Sequence, residues 1–215
     1  MAKNTQINKK NKQTIKALLN LMKDLDQKYS IRIGIQGEEA AQEHPDSGLT
    51  NAELGAIHEF GATINVTEKM RAYLHHIGIH LKPNTTSIVI PTRSFLRMPL
   101  LSGEFKEYLI NKIGLYEKNG FGRGKAAAQE AREQNLDLAK LKLDEDPKLM
   151  EKIANFIASE ALIRVYDAFE TGGFGKWAPI SPATKANRIK DKSSPPLTDT
   201  GELRDSITAK VERVN

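Results

Sequence analysis

The segment from Pro147 to Gly173, PKLMEKIANFIASEALIRVYDAFETGG, decides the fold. Leu149, Ile153, Phe156, Ile157, Ala161, Val165 and Phe169 recur at helical spacing, so they share one broad apolar face. Pro147 suits a first helical turn, where its missing amide hydrogen costs nothing, and Gly172-Gly173 supplies the stop. Fully burying five such large side chains contributes on the order of 10 kcal/mol before ordering entropy is subtracted, so this helix is expected to be the central packing element.

Outward from it, the period changes. Tyr29-Ser-Ile31-Arg-Ile33-Gly-Ile35 alternates strictly, which is a half-buried strand with Ile31, Ile33 and Ile35 facing inward. Before it, Ile15, Leu18, Leu19, Met22 and Leu25 mark the stripe of an N-terminal helix. The polar run Glu38 to Ser47 has no period and reads as a loop. Thr50 and Asn51, with Glu53 in the first turn, cap a helix that carries Leu54 and Ile57 and closes at Gly61. Ile64 with Val66, and Ile88 to Ile90 before Pro91, are β-like; a basic helical turn ending near Gly78 lies between them. Glu104 to Tyr116 is helix-like, Thr198 to Arg204 caps a helical turn, and Ile207 to Val214 alternates as a last strand.

The expectation is an α+β fold, with a small, mostly antiparallel sheet of about four strands packed by an N-terminal helix and the long central helix. It is expected as a single domain over residues 1–215. Residues about 119–146, rich in Ala, Glu, Lys and Leu, form a helical insertion, and residues about 172–196, which lack periodicity, read as an exposed, mobile arm.

Composition narrows the function classes. With no Cys, the 215-residue chain has no disulfide, no thiol nucleophile and no cysteine-ligated metal. No apolar run approaches the roughly 20 residues needed to cross a bilayer, and no secretion signal is visible at the N-terminus. Gly120-Phe-Gly-Arg-Gly-Lys125-Ala fails as a phosphate-binding loop, since its glycine spacing is wrong and Ala126 follows the Lys. His76 and His80 stand four apart beside His75, but Gly78 interrupts them and no carboxylate adjoins; they read as solvated or stacked rings. His58-Glu59 lacks the second His of a zinc-protease helix, and no Ser sits in a nucleophile elbow. Nothing here argues for an enzyme, and no cofactor or metal site is expected.

Charge is segregated along the chain. Residues 1–30 hold seven Lys against two Asp, and residues 172–196 hold five Lys and Arg against one Asp. Lys9, Lys10 and Lys12 in the first segment, and Lys185, Arg188 and Lys190 in the second, are the candidates for a non-specific contact with DNA. A small DNA-binding protein is therefore the alternative reading.

Three segments together resemble the minor tail, or tail-completion, proteins of long-tailed bacteriophages, the group that includes minor tail protein Z and head–tail joining proteins. Asn51-Ala-Glu-Leu-Gly-Ala-Ile-His-Glu-Phe-Gly-Ala62 is similar to the family's helix and Glu-Phe-Gly turn. Ile90-Pro-Thr-Arg-Ser-Phe-Leu-Arg-Met-Pro99 is similar to its Ile-Pro-x-Arg-Pro-Phe-Leu-Arg segment, with Ser94 where that pattern has Pro. Trp177-Ala-Pro-Ile-Ser-Pro-Ala-Thr184, followed by Pro196-Leu-Thr-Asp-Thr-Gly-Glu-Leu-Arg-Asp-Ser-Ile207, is similar to its Trp, Leu-Ser-Pro-x-Thr and Asp-Thr-Gly-x-Leu-x-x-Ser-Ile pattern. The likeness spans residues 51 to 207 and leaves out 1 to 28 and 119 to 146.

The resemblance implies a virion structural protein, assembled in the host cytoplasm as a homo-oligomeric ring at the head-proximal end of the tail. Its partners would be further copies of itself and the tail-tube and head-connector proteins, with no membrane. It implies no catalytic residue. On that basis Glu59, Phe60, Arg93, Phe95, Arg97, Trp177, Leu203 and Arg204 are expected at the oligomer or partner interface, because aromatics and forked Arg donors are enriched at interface hot spots. Trp177 is expected to be exposed or mobile in an isolated subunit and buried on assembly.

Overall fold

The computed structural model describes residues 23, 25–44, 48–119, 147–188 and 193–214. The N-terminal helix is seen only in its last turn, residues 25–28, and the insertion about 119–146 lies almost wholly outside the described residues. The order is β1 (Tyr29–Ile35), α1 (Glu38–Ala41), α2 (Asn51–Phe60), β2 (Ala62–Asn65), α3 (Glu68–His76), β3 (Ser87–Ile90), α4 (Arg97–Leu100) and α5 (Gly103–Asn119). It continues through α6 (Pro147–Glu170), α7 (Pro182–Ala186) and α8 (Glu202–Asp205) to β4 (Ile207–Arg213). This is an α+β fold.

The four strands form two two-stranded ribbons rather than one sheet. β1 pairs with β4; Val214 N–H donates to the Lys28 carbonyl and Gln36 to the Thr208 carbonyl, so the strands run antiparallel. Ala62, Thr63, Ile64 and Asn65 of β2 face Ile90, Val89, Ile88 and Ser87 of β3, also antiparallel. In the second ribbon Thr63, Asn65, Ser87 and Val89 are exposed on one face, so only Ala62, Ile64, Ile88 and Ile90 have apolar cover to seek. The run Glu38 to Ser47, expected as loop throughout, contains the short helix α1, which is too brief to carry a helical period.

The described residues fall into two compact units. One lies within Met1–Ile33, Leu101–Leu162 and Ala209–Asn215, the other within Gly34–Leu100 and Ile163–Thr208. α6, β1 and β4 each contribute to both. The core of the first joins Leu25, Leu149, Met150, Ile153 and Ala154, with Tyr29, Ile31, Ile110, Phe156, Ile157 and Val211 packed against it. Tyr108 donates to the buried Glu160 carboxylate in the same unit. The core of the second is aromatic: Phe95 tilts on Phe169 at 5.2 Å, and Trp177 meets Phe169 edge to face at 5.7 Å. Leu149, Ile153, Ala161, Val165 and Phe169 on the expected face of α6 are all buried. Among the described residues no helix is long and apolar enough to cross a membrane.

Candidate functional site

The site grows from the end of α2. Thr50 and Glu53 close a full capping box: the Glu53 amide donates to the Thr50 hydroxyl at 3.2 Å, and the Thr50 amide donates to the Glu53 carboxylate at 2.9 Å. Those bonds hold the exposed Glu53 carboxyl below its ordinary pKa. At the other end of α2, Gly61 takes φ +76°, and a Cβ there would lie 3.0 Å from the Ile90 carbonyl and 2.9 Å from the Thr92 hydroxyl. Glycine thus lets the segment after β3 run against the helix end, which brings residues 92–97 beside Glu59.

Glu59 is 4% exposed and accepts five hydrogen bonds from that segment. One oxygen takes the Phe95 and Leu96 amides at 2.8 and 3.0 Å. The other takes the Ser94 hydroxyl at 2.7 Å, the Arg97 amide at 3.1 Å and the Arg97 Nε at 2.9 Å. Burial pushes the carboxyl pKa up, but the bonds from Leu96, Ser94 and Arg97 outweigh it and hold the group ionised below its ordinary value. Ser94 also accepts from the Met98 amide at 2.9 Å, so its hydroxyl both ties the start of α4 and pins Glu59.

A second clamp fixes the segment after α6. Arg93 donates from Nε to the Ala178 carbonyl at 3.0 Å and from its terminal nitrogen to Pro179 at 3.3 Å. Trp177 Nε1–H reaches the Ser94 carbonyl at 3.2 Å. Gly173, at φ +68°, lies under the indole, where a Cβ would come within 2.3 Å of the ring. The three motifs, far apart in sequence, are therefore one interlocked structure.

This corrects several expectations. Trp177 is 8% exposed and belongs to the core of the second unit; it is not held ready on a mobile arm. Glu59, Arg93, Phe95 and Leu203 are likewise buried within the subunit rather than displayed for a partner. The physical reason is that a loop clamp uses the same chemistry as an interface hot spot, namely aromatic anchors and bidentate Arg on carbonyls. Arg188, expected to meet DNA, is buried as well, with its guanidinium on the Ser194 and Pro195 carbonyls. Burial, and then the charge of Arg188, pull the Arg93 pKa below its ordinary value.

Other expected residues are accessible. Phe60 is 63% exposed, and the half-exposed Arg97 guanidinium stacks 4.3 Å over its ring. Arg204 pairs with Asp205 at 2.9 Å and lies 5.9 Å over Tyr166. Lys185, on α7, is exposed. Lys9, Lys10, Lys12, Lys190 and the Gly120–Gly124 segment lie outside the described residues. His75 and His80 stack edge to face at 4.6 Å, and no three His, Asp or Glu among the described residues are grouped to hold a metal ion.

Sequence reading missed His58. It points into a cavity of about 260 Å³ that it lines with His44, Leu54, Asp199, Thr200 and Leu203, and its buried Nδ1 has no hydrogen-bond partner. Burial, reinforced by the charge of Arg93, lowers its pKa to about 4. Its neighbour Glu59 is pinned by five donors while His58 is stranded, and nothing in the local sequence distinguishes the two. No family model matches the chain, and comparison with curated proteins and with solved structures finds no match either.

Proposed function

We propose that the chain is a structural subunit of a long-tailed phage virion, a tail-completion or head–tail joining protein that assembles as a ring at the head-proximal end of the tail. One observation carries the reading: the three segments that resemble this family, spread over residues 51 to 207, meet in a single lock of Glu59, Arg93, Ser94 and Trp177. A chance likeness in three unrelated places has no reason to converge on one constellation. In this reading the lock builds a rigid platform, and the Phe60–Arg97 stack that it leaves exposed is the contact element offered to a neighbouring copy. The proposal needs no catalytic residue or cofactor. Assembly would take place in the host cytoplasm, with tail-tube and head-connector proteins as the further partners.

Sedimentation of the full chain across a concentration series tests this. Phe60→Ala is expected to lower self-association at least tenfold and leave the melting temperature within a few degrees, because an exposed side chain contributes little to subunit stability. Association unchanged in both Phe60→Ala and Arg97→Ala would overturn the assignment of this contact.

A further inference from the structure

Beside the first turn of α2, an open cavity of about 300 Å³ is lined by Glu39, Gln42, Glu43, Asn51, Glu202, Asp205 and Ser206. Four of the seven are carboxylates, and among the described residues no Lys or Arg lines it. The Arg204 guanidinium offsets Asp205 at 2.9 Å, and His44 lies 3.2 Å from Glu202, which leaves Glu39 and Glu43 without an ion pair among the described residues. Asn51 supplies an independent observation. It is only 5% exposed, and its Nδ2 donates to the Glu39 carbonyl at 3.1 Å, which fixes the orientation of the amide. Its Oδ1 is then a buried acceptor with no hydrogen-bond partner. Leaving such a group unpaired is costly, so the cavity is built for an occupant that donates hydrogen bonds.

The chemistry of that occupant follows from the wall. The four carboxylates and the stranded carbonyl are acceptors, Gln42 offers both an acceptor and a donor, and the Ser206 hydroxyl is already spent on the Leu203 carbonyl at 2.8 Å. Acceptors therefore dominate, and the ligand is cationic and rich in N–H groups. The first amides of α2 do not compete for it: Asn51 N–H is taken by the Gln42 carbonyl at 2.9 Å, and Glu53 N–H by Thr50. No three carboxylates or imidazoles among the described residues converge closely enough for a metal ion. Acceptors dispersed around a wall suit a planar fork of five N–H donors better than a point charge. We infer that this cavity receives an arginine side chain presented by a partner protein, with the guanidinium between the Asn51 Oδ1 and the Glu39 and Glu43 carboxylates. The inference rests on charge and the stranded acceptor alone and does not depend on the assembly reading.

Titration of the ¹⁵N-labelled full chain with acetyl-arginine-methylamide tests it, with the lysine and citrulline analogues, calcium and magnesium as parallel probes. The arginine probe is expected to shift the Asn51 and Gln42 side-chain amides saturably, binding several-fold tighter than the lysine probe and at least tenfold tighter than citrulline. The Glu39→Gln/Glu43→Gln double variant should weaken binding tenfold or more. Gln42→Lys, which places a tethered cation at the rim, should abolish it, with the rest of the spectrum unchanged in both. Citrulline binding as well as arginine, wild-type affinity in both variants, or a metal ion binding tighter than the arginine probe would each overturn the inference. So would the absence of any saturable shift.

Discussion

Replacing Glu59 by Gln keeps the shape of the side chain and removes its charge, and the geometry says what that costs. One carboxylate oxygen serves the Phe95 and Leu96 amides, and the other serves Ser94 and both donors of Arg97. Gln has one acceptor oxygen, so whichever way the amide turns, at least two donors face an NH₂ group. Each buried donor left unpaired costs about 1–3 kcal/mol, and the surviving bonds lose their charge assistance, which together give a loss of about 3–5 kcal/mol. For a chain of this size that is a fall in melting temperature on the order of 10 °C. Denaturant unfolding of the wild type, Glu59→Gln, Ser94→Ala and the double variant measures it; the cycle should show a coupling of about 1 kcal/mol or more, since the two side chains share a bond. There is also a pH signature. The folded pKa of Glu59 is depressed, so its stabilisation is present above the ordinary carboxylate value of 4.5 and is lost as pH falls toward the folded pKa. Glu59→Gln should lack that part of the acid slope. A loss below 1 kcal/mol, or strict additivity with Ser94→Ala, would refute the claim that Glu59 holds the motifs together.

Three further outcomes follow from the same geometry. His58 is kept neutral in the fold and protonates with a pKa of about 4, against 6.5 when unfolded, so the unfolded chain takes the proton first and stability should fall as pH drops from 6.5 to 4. The full difference amounts to roughly 3 kcal/mol, and His58→Gln should flatten that window when unfolding is measured across it. Trp177, packed on Phe169 and bonded to Ser94, should emit as a buried indole and resist acrylamide in the isolated subunit; quenching close to that of free tryptophan would contradict the docked arrangement. Phe95→Ala, at the centre of the aromatic core, should cost about 3–5 kcal/mol in calorimetry, whereas the exposed Phe60→Ala should cost almost nothing.

What the sequence disclosed tracks how local each signal is. The strand at Tyr29–Ile35, the apolar face of Leu149 to Phe169, and the capping pattern at Thr50 depend on neighbours two to four residues away, and each element forms. Along the strand, however, only Arg32 is exposed and burial does not alternate. The likeness of three motifs to one family picked out the residues of the lock, but their direction was not legible. Arg93 to Ala178 is a contact across 85 positions, and an Arg that clamps its own chain has the same composition as one that clamps a neighbour. The segment after Gly172 lacks periodicity because it is held by point contacts, namely an indole N–H, two guanidiniums on carbonyls and a close-packed glycine, and none of these repeats. His58, Asn51 and His44 were silent because a stranded polar atom is a property of three-dimensional packing alone.

An assembly subunit whose motifs brace a platform for ring formation, as proposed above, must form closed rings in solution. Mass photometry of the full chain, combined with electron micrographs of the same sample, tests it most directly. The expected result is a discrete multiple of the 23.9 kDa subunit and closed rings, both lost in Phe60→Ala with the subunit still folded. A single 23.9 kDa species at every concentration, with no rings in the micrographs, would contradict it.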